Sequence, residues 1–340
     1  MPLPSASPTA TVPPARCATL SSLAFGGAPV GNLYTEVDEA EALQTLRKAW
    51  DGGIRHFDTA PYYGFGLSES RIGHALADLP RDSYGLSTKV GRLVEDASGR
   101  HGDQDGFAVD GRVARFDYSR DGVRRSFEAS LRRLRTDRID ILFLHDIGAL
   151  THGSRHADVL AQALDEALPE MARLRDEGAV GAIGIGVNEE AVCLDVMARF
   201  PLDVIMLAGR YTLFEQTASA RVMAQAQADD VAILVAGPYN SGLLGNTDHP
   251  GATYDYAPAS PAIRERAQRF YDVCRCTGAE VGAAALQFPL AHPAVASVVC
   301  GLRSVAEVDT ALQRRNADVP AATWRALIDE GLLAPGVPTP

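Results

Sequence analysis

The sequence predicts an α/β protein folded as a single (β/α)8 TIM barrel with long loops at its C-terminal face. Three observations point there. Short apolar runs alternate with helical patterns, and such alternation indicates a parallel sheet. Eight such runs occur within roughly three hundred residues, which suits a closed barrel better than a doubly wound sheet. Titratable residues stand at the ends of successive runs, the face on which barrel active sites lie.

In chain order, residues 1–15 are rich in Pro, Ala, Ser and Thr and read as a flexible tail, since they lack the cationic start and apolar core of a leader. The apolar runs are Leu20 to Phe25, Ile54 to Phe57, Tyr84 to Thr88, Ile139 to Leu144, Val180 to Gly186, Asp203 to Leu207, Val231 to Ala236 and Ala296 to Cys300. Leu43, Leu46 and Trp50 recur at helical spacing before Gly52-Gly53, which ends that helix. Val123, Phe127, Leu131 and Leu134 do the same behind Ser119-Arg120-Asp121, an N-cap region. The barrel occupies 16–333 and 334–340 is a C-terminal tail. Three connections exceed plain turns: Val90 to Phe116, Asp146 to Val159 and Gly237 to Ser260. All follow strand C-termini and can rim one pocket. The first, polar and glycine-rich, reads either as a surface excursion or as a lid. The second holds His152 and His156 at metal-binding spacing, but Gly153 intervenes and no carboxylate holds the usual place of a metalloprotease base, so they read as solvated loop histidines.

A net charge of −11 argues against nucleic acid or an anionic membrane as partner, and no uncharged apolar run reaches spanning length. The 46% hydrophobic and 22% charged fractions are ordinary for a soluble globular enzyme, and the charge leaves small molecules as the expected partners. Five cysteines at irregular positions (Cys17, Cys193, Cys274, Cys276, Cys300) make neither a disulfide framework nor a metal motif, which fits a reducing cytoplasm. No metal and no oligomeric state is read from the pattern.

The chemistry centres on Phe57-Asp58-Thr59-Ala60-Pro61-Tyr62-Tyr63-Gly64, where a strand breaks into a loop and sets a carboxylate five residues before a phenol. A phenol ionises near pH ~10, so Tyr63 needs a cation to lower its pKa and a carboxylate to hold that cation. Lys89, closing the next strand, supplies the cation, and His145 closes the one after it.

Asp58, Tyr63, Lys89 and His145 in this order resemble the tetrad of the aldo-keto reductases. The resemblance implies that Tyr63 transfers the proton, Lys89 and Asp58 tune it, and His145 orients the substrate oxygen. Such a site supplies only the proton half of a carbonyl–alcohol interconversion, so a nicotinamide is implied. Gly181-Ala182-Ile183-Gly184-Ile185-Gly186 has the wrong spacing for a Rossmann fingerprint, so the cofactor must bind otherwise, as it does in that family. The resemblance assigns Asn188 to the carboxamide, with Val187 replacing a family serine, and places Tyr211 in a Gln-x-x-Tyr pattern whose glutamine is Ala208 here. It lays Gly237, Pro238, Ser241, Gly242 and Leu243 along the pyrophosphate. Gly301, Arg303 and Glu307 fall beside the adenosine ribose. Glu307 and Asp309 would repel a 2′-phosphate and accept from a free 2′-hydroxyl, which favours NAD, while Arg303 leaves NADP open.

Within the family, the His145 to Gly153 segment, the Gly237 to Leu244 segment and the C-terminal Pro335 to Pro340 resemble the branch of aldose and pyridoxal dehydrogenases. The implied reaction is oxidation of the C1 hydroxyl of an aldopyranose of the L-fucose or D-threo-aldose type to the lactone, with Tyr63 as base. The alternatives are a pyridoxal hemiacetal as substrate, or a non-catalytic cofactor-binding regulator that keeps the fold. Asp146, His152, Tyr239, Tyr254 and Tyr256 are candidate sugar contacts. A metal-dependent lyase or isomerase would need paired ligands at strand ends, and only Asp58 and His145, two strands apart, are seen.

Overall fold

In the computed structural model, which describes residues 20–97, 103–104 and 106–340, the eight expected strands form one closed parallel barrel. They are β1 (Leu23–Gly26), β2 (His56–Asp58), β3 (Gly85–Val90), β4 (Ile139–His145), β5 (Val180–Val187), β6 (Val204–Ala208), β7 (Ala232–Ala236) and β8 (Val295–Gly301), with β8 returning to pair with β1. The tail expected at 1–15, and Cys17, lie outside the described residues. Beyond Leu333 the chain continues without helix or strand, and Val337 packs against the core.

Side chains alternate across each strand, so one parity points into the barrel and the other toward the helices. The inward set is small: Ala24, Ile141, Phe143, Ala182, Val204, Met206, Ala232, Leu234 and Val299 fill the interior as one cluster. The outward set joins the helices in a much larger core that includes Phe25, Phe57, Leu142, Leu144 and Ile205. Gly184 is required at its inward position, because a Cβ there would lie 1.7 Å from the carbonyl oxygen of Val204 on the next strand.

Helix starts follow the local sequence. Asp38, Ser119, Ser260 and Ser304 each accept a backbone N–H of the first turn, which satisfies donors that no helical carbonyl can reach. A buried polar contact ties two helices to the sheet. Glu69, fully buried on the helix Leu67–Leu76, accepts from Thr88 Oγ1 on β3 at 2.7 Å and from Arg133 Nε of the helix Arg120–Leu134 at 2.6 Å.

Removing one member of a buried pair strands the other's charge, whereas replacing both by apolar groups is often neutral. Glu69→Ala should therefore cost ~3–5 kcal/mol of unfolding free energy in urea, and the double variant Glu69→Leu with Arg133→Met should recover most of that loss. A double variant no more stable than Glu69→Ala would refute this account of the contact.

Candidate active site

The inward parity, followed to the C-terminal end of each strand, builds the site. On β2, β3 and β4 the last inward residues are Asp58, Lys89 and His145, while on β5, β6, β7, β8 and β1 they are Gly186, Ala208, Ala236, Gly301 and Gly26. Charge fills one arc of the mouth and near-absence of side chain the other. The result is a cavity of about 680 Å³ lined by all eight of these residues and by Tyr63.

Asp58 and Lys89 form a buried ion pair, Nζ to Oδ2 2.7 Å, and Lys89 also donates to the Thr59 carbonyl at 2.9 Å. The other carboxylate oxygen accepts from Ser87 Oγ at 2.7 Å, and Ser87 Oγ lies 2.9 Å from His56 Nε2. Since the single Ser87 proton goes to Asp58, His56 must donate from Nε2, which leaves its Nδ1 an acceptor; that atom is buried without a partner. A neutral ring fits this arrangement, and burial, with Lys89 nearby, holds the His56 pKa at about 3. Burial raises the Asp58 pKa while Lys89 and Ser87 pull it back.

Tyr63 follows a turn closed by its own N–H to the Ala60 carbonyl at 3.1 Å. Gly64 continues that turn at φ 61, where a Cβ would come within 2.3 Å of the Gly31 carbonyl oxygen. The phenol ring lies over Lys89 Nζ, 4.8 Å from ring centre to nitrogen, and meets the His145 ring edge-on at 6.0 Å. Three elements thus bring the four tetrad residues to one wall. The electrostatics differ from expectation. Sequence reasoning has Lys89 lowering the Tyr63 pKa, but burial pushes this phenol well above its ordinary value of 10.0, Asp58 pushes the same way, and the downward pull comes from Arg92. Lys89 is committed to Asp58, so the ring faces a nearly neutral pair. Part of the ring opens on the cavity, yet dense packing around it makes dehydration the larger effect. Tyr63 is accordingly a neutral phenol near pH 7.

His145 is buried, and dehydration followed by the cations Arg92 and Lys89 holds its pKa well below the ordinary imidazole value. Its Nε2 lies 3.4 Å from Asp146 Oδ2, which in turn pairs with Arg92 at 2.6 Å. The backbone here is clasped from behind. Tyr118 Oη meets the carbonyls of His145 and Asp146 at 2.9 and 3.0 Å, and His152 Nε2 lies 2.9 Å from both Tyr118 Oη and the Asp146 carbonyl. This corrects the reading of His152 as a solvated loop histidine: it is buried against Tyr118 and Phe116 because the loop folds into the short helix Ala149–His152.

The long connection after β3 is neither a plain excursion nor free. Its strands Arg92–Asp96 and Arg112–Phe116 pair as a hairpin. Its inner part crosses the mouth, where Tyr34 N–H bonds to the Gly106 carbonyl at 2.7 Å and Ala108 N–H to the Asn32 carbonyl at 3.1 Å. Buried Phe107 then roofs the cavity, 5.3 Å from the Tyr62 ring and 6.2 Å from the Tyr63 ring. Arg92, Tyr62 and Phe107 were not anticipated.

On the small-residue arc, Asn188, Gly237 and Gly301 line the cavity, with Asn188 Nδ2 donating to the Ala208 carbonyl at 3.3 Å. Tyr211, Pro238 and Leu243 are buried beside the mouth and do not line it, and the Tyr211 hydroxyl has no partner. Ser241 already accepts the Tyr256 N–H at 3.0 Å, and Gly242 turns at φ 87. Ser304 Oγ caps the helix by accepting the Glu307 N–H at 3.2 Å, and the Glu307 carboxylate reaches back to accept the Arg303 N–H, one residue before the cap, at 2.8 Å. Asp309 is drawn away to Lys48 at 2.8 Å. Of the sugar-contact candidates, Asp146 and Tyr256 line the cavity; His152, Tyr239 and Tyr254 do not. Among the described residues no group of His, Cys, Asp and Glu could hold a metal, and no helix is long and apolar enough to cross a membrane.

The model of the aldo/keto reductase family matches residues 22–328. The chain belongs to the aldo/keto reductase family. A pyridoxal 4-dehydrogenase of Microbacterium luteolum is 37% identical over 334 residues, covering 93% of this chain and 95% of that protein. A D-threo-aldose 1-dehydrogenase of a Pseudomonas species is 37% identical over 340 residues, covering 98% and 100%. Among solved structures, an aldo-keto reductase from Bacillus halodurans in its holo form superposes with a TM-score of 0.70 at 25% identity, covering 92% of this chain and 94% of that one. This aldo/keto reductase thus keeps a barrel like that of its solved relative.

The neutral histidines make a pH prediction. The unfolded chain takes up a proton on His56 below its ordinary pKa of 6.5, whereas the native protein refuses it down to about 3, so stability present above 6.5 is lost as pH falls through that window. Asp58 and Asp146, with raised pKa values, act in the opposite sense at its lower end. His56→Gln keeps an N–H donor and removes the titration, so the slope of unfolding free energy against pH between about pH 6 and pH 4 should shrink by ~1.4 kcal/mol per unit. Urea unfolding at several pH values reads this directly, and an unaltered slope would show that His56 is charged in the native state.

Proposed function

We propose that this aldo/keto reductase is a nicotinamide-dependent dehydrogenase that oxidises the C1 hydroxyl of an aldopyranose to the lactone, with Tyr63 as the proton-transferring group. The observation that carries it is the division of the cavity: Tyr63, Lys89 and His145 on one wall, and a channel of glycine and alanine leading from them to Gly237 and Gly301 on the other. The channel fits a nicotinamide nucleotide. Gly186, Ala208 and Ala236 leave room for a flat ring, Asn188 presents an amide beside it, and Gly237, at φ 65, bares its backbone at the rim. A nicotinamide held there would supply the acceptor for the hydride that leaves C1.

The chain's own residues handle the proton. His145, neutral and pressed edge-on to Tyr63, can hold the substrate oxygen within reach of the phenol. Oxidation needs Tyr63 as phenolate to take the hydroxyl proton, so each unit of rising pH enlarges the active fraction; reduction needs the neutral phenol already present near pH 7. Lys89 and Ser87 occupy the two carboxylate oxygens of Asp58, so that carboxylate is not free to take the phenol's place as base. Support for the substrate class comes from the full-length likeness to the D-threo-aldose 1-dehydrogenase. A second reading, a pyridoxal-type hemiacetal, is favoured by the aromatic roof of Tyr62 and Phe107 and by the equal likeness to the pyridoxal 4-dehydrogenase. Turnover of L-fucose and of pyridoxal, each with NAD and NADP, separates the two.

Tyr63→Phe keeps the ring and deletes the oxygen, so kcat should fall by ~10²–10⁴ with cofactor affinity little changed. Retention of most turnover would mean that Tyr63 only shapes the pocket. For cofactor choice we infer that NAD is preferred, because Glu307 neutralises Arg303 and repels a 2′-phosphate. Glu307→Gln, which preserves the cap, should raise kcat/KM with NADP relative to NAD. An unmodified protein that already works better with NADP at matched concentrations contradicts this inference.

A further inference from the structure

Next to the tetrad sits an ion pair that the chemistry above leaves unused. Arg92 and Asp146 both line the cavity, on the side of His145, and Arg92 is only 9% exposed. A guanidinium carries five N–H donors. One of these meets Asp146 Oδ2 at 2.6 Å, and Nε is buried with no partner at all. The group is held flat and rigid, 3.7 Å from the centre of the Tyr62 ring and 4.5 Å from that of Phe116.

Asp146 is placed with equal care. Its backbone is left-handed at φ 50, a conformation that costs free energy for any residue with a Cβ and that clusters at sites of function. Three contacts hold it there: its N–H to the Gly186 carbonyl at 3.0 Å, and its carbonyl facing Tyr118 Oη at 3.0 Å and His152 Nε2 at 2.9 Å. This twist turns the carboxylate back toward His145 at the end of β4.

We propose that Arg92 and Asp146 are specificity-determining residues that together grip two adjacent hydroxyls of the substrate, one donating to the carboxylate and its neighbour accepting from the guanidinium. The proposal rests on the aldopyranose reading and names what the site demands of the sugar. The pair sums to no net charge, as does Asp58 with Lys89, so the wall suits a neutral polyol and offers no excess cation to a phosphorylated or acidic one. Tyr62 and Phe107 supply the apolar face against which C–H groups of a pyranose ring can lie. A sugar lacking one gripped hydroxyl would leave a hydrogen-bonding position of this buried pair unfilled and shut off from water, and sites built to bond a hydroxyl reject analogues lacking it far more strongly than a hydrophobic pocket rejects a methylene.

The test is a deoxy-sugar series on the intact protein. An aldopyranose that the unmodified protein oxidises is compared with its 2-deoxy, 3-deoxy and 4-deoxy analogues, in the unmodified protein, Asp146→Asn and Arg92→Lys. The clamp predicts that removal of one or two neighbouring hydroxyls lowers kcat/KM by about 10- to 100-fold in the unmodified protein. In both variants that discrimination should collapse to within a few-fold, with KM for the full sugar rising more than kcat falls. Variants that slow every sugar by one common factor, leaving the ratios intact, would give the pair a merely structural role and overturn the proposal. Equal use of all deoxy analogues by the unmodified protein would overturn it without recourse to any variant. Failure to oxidise any aldopyranose with either nicotinamide would instead remove the proposed function, and the clamp with it.

Discussion

The architecture of the mouth depends on the buried ion pair between Asp58 and Lys89. Bringing two charges out of water costs several kcal/mol per ion, and the pair is tolerable only where geometry and extra hydrogen bonds offset that cost. Both conditions hold: the contact is 2.7 Å, Ser87 satisfies the second carboxylate oxygen, and the Thr59 carbonyl takes another ammonium proton. The pair ties the end of β2 to the end of β3 and sets the charges felt by its neighbours. Lys89 helps keep His56 and His145 neutral, while Asp58 helps keep the Tyr63 phenol protonated.

Strand parity then decides what surrounds the pair. Since every second residue points inward, the last inward position of each of eight strands forms a ring, and the sequence fills this ring unevenly. Asp58, Lys89 and His145 crowd one arc; Gly26, Gly186, Ala208, Ala236 and Gly301 vacate the other. The cavity is the vacated volume. The hairpin after β3 closes over it by bonding to residues 32–34 across the mouth, which brings Phe107 down as a roof and seats Arg92 beside Asp146.

The fold was legible because each strand is short, apolar and followed by a helical repeat, and all eight were located to within a few residues. The tetrad was legible because strand ends are sequence landmarks: Asp58, Lys89 and His145 each close an apolar run. Arg92 and Phe107 were not, since they lie in a polar loop whose course is set by contacts with Asn32 and Tyr34 far away in the chain. His152 was misread for a similar reason, its burial arising from Tyr118 and Phe116 rather than from its own segment. The sign of the Tyr63 shift was also beyond sequence reasoning. Order along the chain shows a cation near the phenol and a carboxylate to hold it, but not how deeply the ring is buried, and burial is the largest cause of the shift.

The central claim is that Tyr63, and not the neighbouring imidazole, exchanges the substrate proton, and the pH dependence of kcat/KM for hemiacetal oxidation tests it most directly. That profile reports the ionisations of the free protein. With Tyr63 as base, held high by burial and by Asp58, the rate should climb through the alkaline range with no inflection near the ordinary imidazole value of 6.5. A profile already flat from neutral pH upward would identify His145, whose pKa lies well below 6.5, as the base and contradict the account.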